Sequence, residues 1–111
     1  MTKENQDFEL HNGEIKIPQF TVDKPDGSTK DLTGYKARWI AIDPKDDEIV
    51  IDLHTDTDND ITIPNPAGGI VEVRVDLTGS SELYNSYRHE LYVIDTSGEP
   101  SVVATGEMFV K

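Results

Sequence analysis

Apolar and polar positions alternate in short runs along most of this chain, which is the pattern of half-buried β-strands. The cleanest run spans residues 70–77, where polar Glu72, Arg74 and Asp76 separate the apolar positions. Because successive side chains of a strand point to opposite faces, this run predicts a strand with one apolar face. The residues predicted to face inward are Val71, Val73, Val75 and Leu77.

A second run, residues 36–42, predicts a central strand with an aromatic residue in the core. Trp39 lies between Ala37 and Ala41 on one face, so the small neighbours leave room for its large ring. A buried position for Trp39 is therefore expected, in preference to a ligand platform on the surface. The opposite face is predicted to carry Arg38, Ile40 and Ile42.

Turn-forming residues separate the runs at short intervals, for example at residues 24–27, 44–47 and 96–100. Proline presets the backbone for a turn, and glycine accepts left-handed conformations. Seven or eight short antiparallel strands with this spacing predict an all-β fold, either a β-sandwich or a barrel. One helical turn is predicted at residues 80–85.

The length of 111 residues predicts one domain. Residues 1–6 are polar and predict a flexible N-terminal tail, so the single β-domain is expected to span residues 7–111.

The two ends of the domain are predicted to form the edges of its sheets. Within the first of these, residues 8–22, a short strand at 8–10 is followed by a turn at Asn12-Gly13 and an extended stretch at 15–22. This stretch contains Pro18, which cannot donate to a ladder and therefore favours an edge strand or a bulge. The closing strand, residues 101–110, contains Gly106, which predicts a bulge or kink. Free edges pair readily with other chains, so these two segments are the expected places for pairing with a neighbour.

The net charge of the chain disfavours some classes of binding partner. Ten basic residues stand against 22 acidic ones, giving a formal net charge of -12. Such a surface repels phosphate backbones and anionic membranes, so neither nucleic acid nor membrane is an expected partner. Eight of the acids fall between residues 43 and 60. Solvated loops account for this cluster, and the alternative is a dock for a basic partner, for which Asp43, Asp46 and Asp47 are the candidate contacts.

The loop at the end of this acidic region carries the sharpest local pattern. Asp56, Asp58 and Asp60 place carboxylates at every second residue, and carboxylate oxygens are the ligands that calcium prefers. The helix–loop–helix calcium motif is excluded, because Ile61 stands where that motif needs glycine. Aspartate also forms ordinary turns. No resident cofactor is expected, and a loose calcium site stays open as an alternative.

The remaining chemistry-bearing residues predict a protein that is not an enzyme. His11, His54 and His89 are scattered without a metal-binding spacing and are expected at strand ends or on the surface. No serine lies in a nucleophile-elbow motif. Tyr84 and Tyr87 flank a loop, where tyrosine serves either as an interface contact or as packing over the end of the fold.

The order of these features resembles a family of small virion proteins and baseplate modules of tailed phages and prophages, which includes the N-terminal domain of some siphophage upper baseplate proteins. The similar segments are residues 20–22, 26–27, 31–39, 69–75, 77–83, 87–95 and 104–110. The acidic region at 43–60 departs from the family pattern. The resemblance implies an immunoglobulin-like β-sandwich with a structural or adaptor role and no catalytic residues.

The expected function is therefore that of a non-enzymatic structural protein of a tailed virus, in the tail, baseplate or neck. The resemblance implies other virion proteins as partners, several symmetric copies per particle, and a place in the virion after assembly in the host cytoplasm. Two alternatives stay open. One is a capsid decoration protein of the same fold, and the other is a carbohydrate- or calcium-dependent binding module that recognises a host surface.

Overall fold

The computed structural model of the chain describes residues 4–55, 60–78 and 85–111. Within these ranges the chain is mostly β, with a single 3₁₀ turn at Pro66–Gly68. The strands are β1 Phe8–Leu10, β2 Ile15–Lys16, β3 Gln19–Thr21, β4 Lys36–Asp43, β5 Glu48–His54, β6 Ile61–Asn65, β7 Ile70–Val73, β8 Val75–Asp76, β9 Asn85–Ile94 and β10 Pro100–Val110. No helix in the described ranges is long and apolar enough to cross a membrane.

The predicted fold class, all-β, is confirmed. The helical turn predicted at residues 80–85 lies outside the described residues except for Asn85, where β9 begins.

The largest sheet has five strands in the order β1-β10-β9-β4-β5. Two hairpins form its centre, β4–β5 and β9–β10, and β4 pairs antiparallel with β9. The prediction of purely antiparallel strands is wrong at one place, because β1 runs parallel to β10, with Phe8 opposite Met108. The chain reaches this position only through a contact with the far C-terminus, which local patterning does not encode.

Two smaller sheets complete the fold, one of order β3-β7-β6 and one formed by β2 and β8. The alternating run at 70–77 supplies both β7 and β8. It is interrupted at Arg74, whose backbone N–H donates to the carbonyl of Asp60 at 2.7 Å. The four residues predicted to face inward are 0–2% exposed, so that prediction is confirmed.

A single hydrophobic core joins side chains from all three sheets. Trp39 is completely buried at its centre, as its small neighbours predict. Ile40 and Ile42, on the opposite face of β4, are also buried, at 4% and 6% exposure.

The predicted sheet edges are correct in part. Residues 8–22 do lie at edges, with β1 in the large sheet, but the stretch at 15–22 divides into β2 and β3, which pair in the two small sheets. The closing strand is wrong as a full edge, because residues 108–110 of β10 lie between β1 and β9. The full-length edge that the sequence reading missed is β5, at the far end of the large sheet.

Gly106 has a different role from the one expected. The bulge in β10 falls between Val102 and Ala104, not at Gly106. A Cβ at Gly106 would lie 2.6 Å from the backbone carbon and oxygen of Gln6, so glycine is needed for this close approach. Gln6, which the sequence assigns to the tail, donates its backbone N–H to the carbonyl of Thr105 at 2.9 Å.

Candidate interaction surface

The β4–β5 turn is built by the acids that the sequence marked as candidate contacts. Asp43 accepts a hydrogen bond from the backbone N–H of Lys45 at 3.0 Å, and Asp46 accepts one from Glu48 at 3.0 Å. Asp47 adopts a left-handed backbone conformation with φ of 56°, which aspartate tolerates better than most residues. The carboxylates of Asp43 and Asp46 therefore close the hairpin, and Asp46 and Asp47 are exposed at its tip.

The tip of this turn remains mostly anionic. Arg88 on β9 approaches Asp47 at 3.6 Å, but the two side chains are 49% and 78% exposed. An ion pair that is so exposed to water contributes little to holding its two side chains together. Lys45 is also exposed within the turn. The carboxylates of the tip are thus available to a basic partner.

Two further acids, Asp26 and Asp31, form turns of their own. The Asp26 carboxylate accepts hydrogen bonds from the side chain and backbone of Ser28, and Asp31 accepts the equivalent pair from Thr33. These hydrogen bonds lower the pKa of both carboxyl groups. Part of the acidity of the chain is therefore structural, through the turn chemistry expected for aspartate.

β5 presents an unpaired backbone edge among the described residues. The N–H of Thr55 donates to the carbonyl of Ala37 at 3.1 Å. Hydrogen-bonded and non-hydrogen-bonded pairs alternate along an antiparallel ladder, so Ile51 and Leu53 also direct their backbone groups to β4. The backbone groups of Asp52 and His54 then point away from the sheet.

The same strand exposes apolar side chains. A register shift between Ala41 and Ile42 of β4 leaves Val50 as the extra residue on β5, and Val50 and its neighbour Ile49 are 36% and 45% exposed. Bulges of this kind are common at sheet edges. Together, Ile49, Val50 and the outward backbone of Glu48–His54 form a surface that we call the β5 edge.

An ionic cluster flanks the β5 edge on the outer face of the sheet. Arg38 binds Asp52 through two hydrogen bonds, Nε to Oδ1 at 2.9 Å and Nη2 to Oδ2 at 2.8 Å. His54 lies 3.0 Å from the same carboxylate. The hydrogen bonds from Arg38 lower the pKa of Asp52, so this carboxylate stays ionised beside the edge.

A cleft of about 430 Å³ opens on the inner side of β5. Ile51 and Leu53 form one wall, and Val75 and Leu77 lie across from them. The rim is polar and includes Arg74, which pairs with Asp76 at 3.2 Å. The Asp76 pKa is lowered, chiefly by the hydrogen bonds that Thr78 donates. The cleft thus has apolar walls immediately beside the free backbone.

The calcium hypothesis stays a prediction. Asp56 and Asp58 lie outside the described residues, and Asp60 is placed by its backbone carbonyl, which accepts from Arg74. Within the part of the chain that the structure describes, no three acidic or histidine side chains come together as a metal site.

Of the two candidate tyrosines, only Tyr87 lies within the described residues. Tyr84 lies outside the described residues. Tyr87 is only 7% exposed and joins the hydrophobic core, opposite Met108 on β10. Its position favours packing over a role as an interface contact.

His89 is the residue that the sequence reading misplaced. His54 ends β5 and His11 is exposed, as expected, but His89 is completely buried in the middle of β9. The signal was present in the pattern, because His89 shares its strand face with Leu91 and Val93. A period of two places all three side chains on the inward face.

The buried imidazole joins the N-terminal segment to the core. The indole Nε1–H of Trp39 donates to His89 Nδ1 at 3.2 Å, which makes Nδ1 an acceptor. His89 Nε2 then carries the proton and donates to the carbonyl of Gln6 at 2.6 Å. The rings of Phe8 and Phe20 pack 5.1 and 5.9 Å from the imidazole. Burial lowers the pKa of His89, because charging it would require desolvation in this apolar setting.

Comparison with known proteins adds no family to these observations. No protein-family profile matches the chain. A search of curated proteins likewise finds no match.

Proposed function

We propose that this protein is a non-enzymatic structural adaptor that binds neighbouring proteins through the β5 edge, and that its setting is the tail, baseplate or neck of a tailed virus. Its fold in this proposal is an immunoglobulin-like β-sandwich. The single observation that carries the docking role is the β5 edge itself, where free backbone groups lie beside the exposed side chains of Ile49 and Val50.

An isolated chain leaves the backbone of an edge strand such as β5 without a partner strand. A row of unpaired N–H and C=O groups is a template for another strand, and natural proteins usually cover it or protect it with charge. β5 carries charge at Glu48 and Asp52, but Ile49 and Val50 between them are apolar and exposed. A partner that covers this edge removes the apolar surface from water and pairs the backbone.

The charge of the molecule supports a protein partner with basic character. The net charge of -12 acts against nucleic acid, and the exposed carboxylates of the β4–β5 turn lie at one end of the β5 edge. A basic neighbour is attracted to this end of the sheet, and the interaction weakens with added salt.

The viral setting rests on the resemblance described for the sequence segments from residue 20 to residue 110. In that setting the protein is present in several symmetric copies, and its neighbours are other virion proteins. Its place is in the particle after assembly in the host cytoplasm.

Labelled electron microscopy tests this proposal. A short epitope tag is placed after Lys111, which is exposed at the end of β10, and purified particles are incubated with gold-conjugated antibody. We expect gold at the tail, baseplate or neck. Gold spread over the head lattice assigns the protein to capsid decoration instead, and tagged protein that never sediments with particles overturns the viral role.

A further inference from the structure

We propose that the occupant of the β5 edge is an extended segment of a partner protein, alternately apolar and basic, which adds to β5 as a sixth strand of the large sheet. This inference rests on the proposed function, since it names the chemistry of the partner at the docking edge. It uses strand addition, a general mode of recognition in which backbone hydrogen bonds give affinity and alternate side chains give specificity.

Backbone groups on β5 are available to pair with an incoming strand. Asp52 and His54 direct their N–H and C=O groups outward, because their neighbours Ile51 and Leu53 use theirs for β4. An incoming strand can therefore form hydrogen-bonded pairs opposite Asp52 and His54. The register shift is at Val50, and β5 pairs regularly with β4 from Ile51 onwards. Asp52 and His54 therefore lie in the regular part of the strand.

The cleft decides which side chains the incoming strand presents inward. Side chains of the new strand that lie on the inner face fall beside Ile51 and Leu53, over a cleft of about 430 Å³. The opposite wall of the cleft contains Val75 and Leu77. Apolar side chains in these positions cover the exposed parts of Ile51 and Leu53, since Val75 and Leu77 are already buried, so every second residue of the partner segment is expected to be apolar.

The outer face and the β4–β5 turn decide the other positions. Outward side chains of the new strand lie beside Asp52, and its end next to the turn approaches Asp43, Asp46 and Asp47. Lysine or arginine is complementary to these carboxylates. The alternation of the partner segment is therefore apolar inside and basic outside.

The charge of the chain argues against a second copy as the occupant. Pairing two β5 edges brings together two molecules that each carry a net charge of -12. Such molecules repel each other at moderate salt. A basic segment of a different protein meets attraction at the same edge, and this is the occupant to which the proposal commits.

A synthetic peptide of alternating lysine and valine is the probe. Its binding to the intact protein is measured by fluorescence anisotropy, and the contact is located by amide hydrogen exchange in NMR spectra. We expect slowed exchange at Asp52 and His54, and weaker binding as salt is raised. A peptide of alternating glutamate and valine is the charge control and is expected not to bind.

A pair of variants at one position isolates the backbone contribution. Asp52→Pro and Asp52→Ala both remove the carboxylate and its ion pair with Arg38, but only proline removes the outward N–H. We expect Asp52→Pro to bind roughly tenfold more weakly than Asp52→Ala, the equivalent of one well-formed hydrogen bond. If Asp52→Pro does not fold, a peptide N-methylated on the edge-facing residues gives the same test with the wild-type protein.

The outcomes separate this inference from the proposed function. Exchange protection that falls outside β5, or equal binding by Asp52→Pro and Asp52→Ala, overturns the sixth-strand inference. Stronger binding by a peptide of the chain's own residues 48–54 than by the lysine–valine peptide assigns the edge to a second copy and also overturns it. Gold labelling of particles tests the adaptor role independently, so either claim can fail while the other stands.

Discussion

Replacing His89 with leucine tests whether the buried imidazole joins the N-terminal segment to the core. His89→Leu keeps an apolar side chain of similar size but removes both ring nitrogens. The indole N–H of Trp39 and the carbonyl of Gln6 each lose their hydrogen-bond partner on the imidazole. The bond from Trp39 is buried, so water does not readily replace it, whereas the bond to Gln6 is only partly buried.

The magnitude follows from the two orphaned groups. Leaving one buried donor or acceptor unsatisfied costs about 1–3 kcal/mol, so the indole N–H and the partly buried carbonyl together cost at most about 6 kcal/mol. The added apolar contacts of leucine offset part of this, which leaves an expected loss of about 2–4 kcal/mol in the free energy of unfolding. Since small domains have about 5–15 kcal/mol in total, this loss is readily measured.

Urea unfolding provides the assay, with circular dichroism as the signal. His11→Leu is the matched control, because His11 is exposed just beyond β1 and its replacement is expected to change stability by less than about 0.5 kcal/mol. A double variant with Trp39→Phe sharpens the test. In that background the indole donor is already absent, so His89→Leu should cost about 1 kcal/mol less than it does in the wild type.

Two results would refute this reasoning. One is a His89→Leu variant as stable as His11→Leu, which would mean that the two hydrogen bonds contribute nothing. The other is strict additivity with Trp39→Phe, which would mean that indole and imidazole are not coupled.

Three further predictions concern pH, backbone contact and surface charge. Because burial lowers the pKa of His89, its neutral form is favoured in the folded protein, and stability should fall as pH drops below the unfolded value of about 6.5. In urea titrations at pH 7 and pH 5.5 this loss should be absent from His89→Leu, and its persistence there would assign it to another group. Gly106→Ala should displace Gln6 and cost about 1–3 kcal/mol, because the new Cβ meets rigid backbone at 2.6 Å. Amide exchange at Gln6 checks this, and unchanged protection would contradict it. Arg38→Gln should cost only about 0–1 kcal/mol in thermal or urea unfolding, because its ion pair with Asp52 is 34% and 38% exposed, and a larger loss would show that the pair is effectively buried.

The alternating pattern predicts the strands and turns of this protein well because their causes are local. The inward face of residues 70–77 and the core position of Trp39 follow from side-chain period and size alone. Turn chemistry at residues 44–47 likewise predicts the hairpin that leads into β5. Each of these features is decided by residues close together in the chain.

The features that escaped prediction depend on distant residues. Strand order makes β5 an edge and places residues 108–110 inside the sheet, and no local pattern specifies which strands become neighbours. The role of Gly106 depends on Gln6, which is a hundred residues away. His89 is the exception, because its strand face was readable, and only the expectation that a scattered histidine lies at a strand end or on the surface argued against burial.

The candidate surface was predictable in part. Asp43, Asp46 and Asp47 were identified from charge density, and the structure places all three in the β4–β5 turn, while their role as contacts stays a prediction. The exposed apolar residues of β5 were not identified, since Ile49 fits the pattern of a buried strand position. The register shift at Val50 is what brings both side chains to the surface.

Photo-crosslinking at position 50 asks most directly whether β5 is the docking edge in the cell. A benzophenone amino acid replaces Val50, which is 36% exposed on β5, and the matched site is Asp26, in an exposed turn outside the large sheet. Irradiation of cells that make the protein should give a covalent adduct with one neighbouring protein from position 50 and none from position 26. An adduct from position 26 alone, or no adduct from position 50 in assembled particles, would contradict the docking role of β5.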